Sequence, residues 1–162
     1  MILRYLYTFF LAVLLVTFVG VGIAAFYKAP KYPEYPITTE AISLEFGKET
    51  TESAEMRQKR VEFEKESREF QKINEVYNKN VSTIAIVASL IILVVSITFL
   101  NKIMYLSDGL LLGGVFTLIY SVVRGFNAGD EMFRFIVVTI GLAVAIFLGY
   151  WKFVREQSSP KK

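Results

Sequence analysis

Asp108, Arg124, Asp130 and Arg134 stand at the margins of apolar stretches in the second half of this chain. Carboxyl groups so placed could act as general acids or bases, and guanidinium groups could hold an anion. Their setting argues for something plainer. Charges beside long apolar segments reach toward the aqueous interface or pair there. Asp130 lies four residues ahead of Arg134, and Arg124 is close in sequence. The four therefore read as interfacial charges. The 162 residues include no cysteine and no histidine. That excludes disulfides, thiolate nucleophiles, Cys/His metal sites, His-based triads and an imidazole switch near neutral pH. The remaining acids show no metal-ligand spacing, and no glycine-rich loop is spaced to cradle a phosphate. The expectation is a protein that is not an enzyme, with no catalytic residue, no cofactor and no metal.

The elements that carry these residues are apolar. Four stretches, roughly Tyr5–Tyr27, Val81–Leu100, Gly109–Val123 and Phe135–Trp151, have no ionisable residue at their centres. About 18 apolar residues suffice for a helix to cross a hydrocarbon core. With 54% hydrophobic residues and a mean hydropathy of +0.45, the chain reads as all-α, a four-transmembrane-helix integral membrane protein without room for a second globular domain. The uncharged centres lack the groups on which pumps, proton relays and coupled transporters depend. A net charge of +3 without a basic block leaves no case for a nucleic-acid partner. Arg4 and Gly22-Ile23-Ala24 imitate a signal peptide. The apolar run exceeds the usual ~7–15 residues, however, so residues 1–27 read as a retained first transmembrane helix.

Residues 28–50 read as an extended loop. Pro30, Pro33 and Pro36 fix φ and extend their predecessors, which suits a stiff spacer more than a docking strip. Ile42, Leu44 and Phe46 alternate as in a strand, while Thr38 and Gly47 would bracket a short helix. Between Lys48 and Asp108 there is neither glycine nor proline. Residues 51–80 are rich in helix formers, with Glu55–Lys59, Glu64–Arg68 and Glu75–Lys79 at i,i+4. This predicts a charged stalk helix that runs on into the second span, to about Asn101. Its extramembrane part would be on the order of 45 Å long, and a kink is expected at Asn78 or Asn80. Met56, Phe63, Phe70 and Tyr77 recur every seven residues, with Ile73 between the last two. Such a seam fits a coiled-coil-like contact, either with residues 37–47 of the same chain or with a partner. Seven basic and seven acidic residues between Thr51 and Asn80 argue against a helix lying on the membrane surface.

Residues 81–162 read as a three-helix transmembrane bundle with a short basic tail. Ser107 or Asp108 is expected to cap the third helix and Asp130 the fourth. That leaves the third span only about 22 Å long, short for a ~30 Å core unless it extends back to Met104 or the bilayer thins. Gly109, Gly113, Thr117 and Ser121 recur every four residues, and Gly141, Ala145 and Gly149 repeat the pattern on the fourth helix. Rows of small residues let helix backbones approach closely, and the two rows are expected to pack on each other. Gly20 and Ala24, and Ala85 and Ser89, are weaker versions. Thr117, Tyr120 and Ser121 could instead line a pore.

Arg4, Lys102, Lys152, Arg155, Lys161 and Lys162 share one side of a four-span topology. Ten basic and eleven acidic residues of the insert lie opposite, with Arg124 and Arg134. The basic ends favour a cell-membrane protein with both termini cytoplasmic, and Trp151 closes span four as an interface anchor. The expected role is a non-enzymatic structural, scaffold or accessory subunit of a membrane complex. Its partners would be membrane lipids and either another membrane protein or a second copy of the chain. An oligomeric channel or small transporter is the alternative.

Overall fold

The structure is a computed structural model that describes residues 2–34, 54–99 and 104–157, apart from the side chains of Glu55, Met56, Phe99, Met104 and residues 152–157. Thr38, the Ile42/Leu44/Phe46 alternation, Gly47, Lys102, Lys161 and Lys162 lie outside the described residues, as do the side chains of Met56, Lys152 and Arg155. Among the described residues there are four helices: α1 (Ile2–Phe26), α2 (Ala54–Phe99), α3 (Met104–Phe126) and α4 (Glu131–Gln157). All four are long and apolar enough to cross a membrane, which is consistent with a multi-pass membrane protein.

Helix α2 runs for 46 residues, as expected of a segment without glycine or proline. It stays α-helical through Asn78 and Asn80, whose amides find side-chain partners and so do not compete for the helix backbone. Helix α3 differs from expectation. It begins by Met104, so Ser107 and Asp108 lie inside it and do not cap it. One carboxylate near a helix start does not end the helix, and the Ser107 hydroxyl is satisfied by the carbonyl of Ser96 at 2.7 Å. With 23 residues, α3 is about 34 Å long. The expected mismatch disappears.

The α3–α4 connection is short and closely specified. Asn127 and Ala128 donate to the carbonyls of Arg124 and Gly125, which tightens the end of α3. Gly129 then turns with φ +69°, a conformation that glycine adopts without cost. The carboxyl of Glu75 lies against it, where a Cβ would have to be. Asp130 caps α4, accepting from the Phe133 N–H at 3.2 Å, as its position before the apolar run predicts.

The fold divides into two compact units, one of residues 1–28 with 75–162 and one of residues 29–74. In the first, α1 and α3 run parallel. A Cβ at Gly109 would meet Leu11 at 2.6 Å, and one at Gly113 would meet Leu15 at 2.7 Å and the Cα of Ala12 at 3.3 Å. Gly109 and Gly113 of the α3 row thus let α1 approach, not α4. The α4 row does not answer it. Gly141 lies within ordinary contact of Leu118 and Val122, Ala145 is exposed, and Gly149 has nothing within 4 Å. Helix α4 also touches α3 through Val137 beside Gly125.

The residues of α2 from Glu75 onward pack antiparallel on α3 through serines. Ser82 donates to the Ser121 carbonyl at 2.9 Å, and Ser121 returns a bond to the Ser82 carbonyl at 3.0 Å. Ser96 and Ser107 do the same at 2.8 and 2.7 Å. All four are fully buried, as is Ser89. Ser82, Ser89 and Ser96 are seven apart, as are Ser107, Gly114 and Ser121 on the facing helix. The two sets mirror each other across the connection. Ser89 donates instead to the Ile86 carbonyl of its own helix at 2.8 Å, and the threonines likewise bond within their helices. Thr17, Thr83, Thr98, Thr117 and Thr139 each donate to the carbonyl four residues earlier in their own helix. Where α1, α2 and α3 meet near one end, Ile23, Tyr77, Val81 and Ala85 form an apolar cluster flanked by Val19, Tyr27 and Tyr120.

In the second unit, Tyr32 packs edge-on against Phe70, with ring centroids 5.0 Å apart. Glu64 and Arg68 pair at 3.6 Å on an exposed face, a contact of a few tenths of a kcal/mol at most.

Candidate functional site

The densest polar constellation lies at the Tyr27 end of the first unit and is centred on Arg124. This residue occupies the last turn of α3, where a cation complements the helix dipole. Its Nη1 donates to Asn78 Oδ1 at 3.0 Å, and its Nε donates to the hydroxyl of Tyr120 at 3.2 Å. The guanidinium carbon also stands 5.6 Å from the Tyr120 ring centroid and 6.0 Å from that of Tyr77. Tyr77 in turn stacks on Tyr27, with centroids 5.1 Å apart and rings nearly parallel. Asn80 Nδ2 donates to the Tyr27 hydroxyl at 2.8 Å. The C-terminal end of α1, α2 and the last turn of α3 are thereby tied at one level.

A second tie lies beside it. Lys79 and Asp130 pair at 3.1 Å, and the Lys79 ammonium sits 5.1 Å from the Phe133 ring centroid. Of the expected interfacial charges, Asp130 therefore bonds to Lys79, and Lys79 turns away from its expected i,i+4 neighbour Glu75. The Nε of Arg134 is buried and has no hydrogen-bond partner among the described residues. Asp108 is half-buried within α3 and takes no part in the cluster.

The hydrogen bond from Lys79, helped by the Phe133 N–H, holds the Asp130 carboxyl below the usual aspartate range. A lowered folded-state value means that the charged carboxylate stabilises the fold above the unfolded value. That contribution is lost as pH falls through the folded value. Asp130→Asn keeps a good cap through its Oδ1 and removes the charge together with the Oδ2 acceptor that Lys79 uses. The variant should melt below the native protein at neutral pH in detergent, and the gap should close in acid. A gap that stays constant with pH would show that the charge is immaterial.

The seam on α2 is divided. Tyr77 is only 7% exposed and belongs to the apolar cluster just described. Phe70 is covered by Tyr32, Phe63 is half-buried and Ile73 is 59% exposed. The residues meeting the seam that the structure describes come from the Pro/Tyr segment and the end of α1. The serine pairs, which carry the α2–α3 contact, escape a search for small residues in fours. Serines counted in sevens would have found them.

Chemically, the Arg124 cluster is turned inward: the Nε and Nη1 of Arg124 and the Nδ2 of Asn80 donate to acceptors within the chain. Among the described residues no group of three His, Cys, Asp or Glu could hold a metal ion. The arrangement fixes helix ends. Comparison with protein-family models, curated proteins and solved structures finds no match for this chain.

Proposed function

We propose that this chain is a non-enzymatic, multi-pass membrane protein, an accessory or scaffold subunit that binds another membrane protein through the charged part of α2. On this reading α1, the apolar part of α2, α3 and α4 cross the bilayer, both termini face the cytoplasm, and residues 54–80 stand outside it as a stalk. One observation supports it above others. Helix α2 changes character along its length: residues 54–74 belong to a separate unit and carry charges of both signs, whereas no ionisable residue occurs from Val81 to Phe99. Such a segment extends a helix into water without serving the membrane body.

Tyr77 and Phe70 are engaged within the chain, and among the described residues of α2 in the second unit Val61 (66% exposed) and Ile73 (59%) are the large apolar side chains offered outward. Membranes from cells expressing the tagged chain test both halves of the proposal. Reporters fused after Asn127 and at Lys162 should fall on opposite sides. A partner should co-purify in mild detergent, and Val61→Glu with Ile73→Glu should remove it. Melting should stay within about 0.5 kcal/mol of native stability, as for other surface changes. A complex that survives the double substitution sinks the stalk as the binding element. The channel alternative has less support, because Thr117 and Ser121, its expected pore lining, donate to Gly113 and Ser82 carbonyls.

A further inference from the structure

At the end of the first unit opposite Arg124, a groove of about 770 Å³ opens between the start of α1 and the start of α3. Among the described residues Leu3, Leu6, Tyr7, Phe10, Tyr105 and Leu106 line it, and Arg4 is the one charged residue of the lining. Its size falls in the ~300–1,000 Å³ range of pockets that hold small organic molecules. The Arg4 guanidinium is held 4.6 Å from the Tyr105 ring centroid, so its position is fixed by α3 as well as by α1. Among the described residues no acidic residue lines the groove to neutralise it.

We propose that this groove binds a phospholipid with a net-negative headgroup, an acyl chain lying along Leu3, Leu6 and Phe10 and the phosphate meeting Arg4. The apolar walls accept the chain of any lipid; the Arg4 guanidinium selects the headgroup. Arginine suits this task, since its planar fork bonds phosphate oxygens in pairs and still stacks on an aromatic ring. Tyr7 and Tyr105 add the amphipathic rings typical of the headgroup level. The site rests on the membrane placement of the first unit and is independent of any stalk partner.

The test uses the full chain reconstituted in nanodiscs made from equal parts phosphatidylglycerol and phosphatidylcholine. It is then released into detergent for native mass spectrometry. The native protein should retain phosphatidylglycerol in preference to phosphatidylcholine, and Arg4→Gln should reduce that preference about fivefold, the worth of one basic residue at an anionic surface. Leu6→Trp, which fills the groove, should lower retention of both lipids. Melting curves of Arg4→Gln and Leu6→Trp establish that each remains folded. Equal retention of the two lipids by the native protein overturns the proposal, as does an unchanged preference in Arg4→Gln. Failure of the membrane placement itself would appear separately, as release of the chain from membranes by alkaline carbonate.

Discussion

Gly113→Leu should unfold or loosen the helix body in detergent, while Gly149→Leu should leave it unchanged. At Gly113 a Cβ alone would stand 2.7 Å from the Leu15 side chain and 3.3 Å from the Ala12 backbone. A side chain can turn aside, but a backbone can retreat only if α1 moves as a whole. Overpacking of a tight contact typically costs about 1–3 kcal/mol and more where backbone must shift. Leucine at this position should lie at or above the upper end. Gly149 has nothing within 4 Å, so leucine there gains surface and loses no contact. Thermal melts of the two variants side by side decide the matter. Equal losses would mean that α4 is packed on a neighbour through Gly149. Equal stability would remove the α1–α3 approach from the account.

Ser82→Leu should be comparably damaging, and Ser82→Ala mild. Ser82 is fully buried, its Oγ lies 3.3 Å from that of Ser121, and a Cβ at Gly125 would come within 3.1 Å of it. There is no room for a branched side chain without parting α2 from α3. Alanine removes one donated hydrogen bond and keeps the close approach. Bonds of this kind in membrane helices average roughly 0.6 kcal/mol, so Ser82→Ala should cost about that. The ratio between the variants, read from the same melts, separates packing from hydrogen bonding. A large loss with alanine would show that the bonds dominate.

Helix existence was legible in the chain; helix partnership was only half so. The uncharged stretches marked four helices, the absence of glycine and proline from Lys48 to Asp108 marked one long one, and Asp130 marked a cap. Each is a local property. The row at Gly109 and Gly113 announces that something approaches closely, but it does not say what. Adjacency in sequence favoured α4, and the structure brings α1 there. Asp108 misled for a related reason: a charge beside an apolar run looks like a boundary, although a helix carries one past its start without breaking. Tyr77 keeps the seven-residue spacing of the α2 seam and yet belongs with Tyr27, Val81 and Arg124 in another unit. Periodicity records which face a residue occupies and not where along the helix its surroundings change. The Arg124 cluster was visible as charges near one another, but its real partners, Asn78 and Tyr120, are neutral and stood out only as a kink position and a pore lining.

The contrast between the threonines and the four paired serines bears on how such a chain could enter a bilayer. Every threonine hydroxyl in the helices whose bond is described closes on its own helix, so those segments can leave the translocation machinery singly with that group already satisfied. Ser82, Ser96, Ser107 and Ser121 complete their bonds only across the α2–α3 contact. On the membrane reading, these two segments are best delivered to lipid together as a preformed hairpin, whereas α1 and α4 can arrive alone.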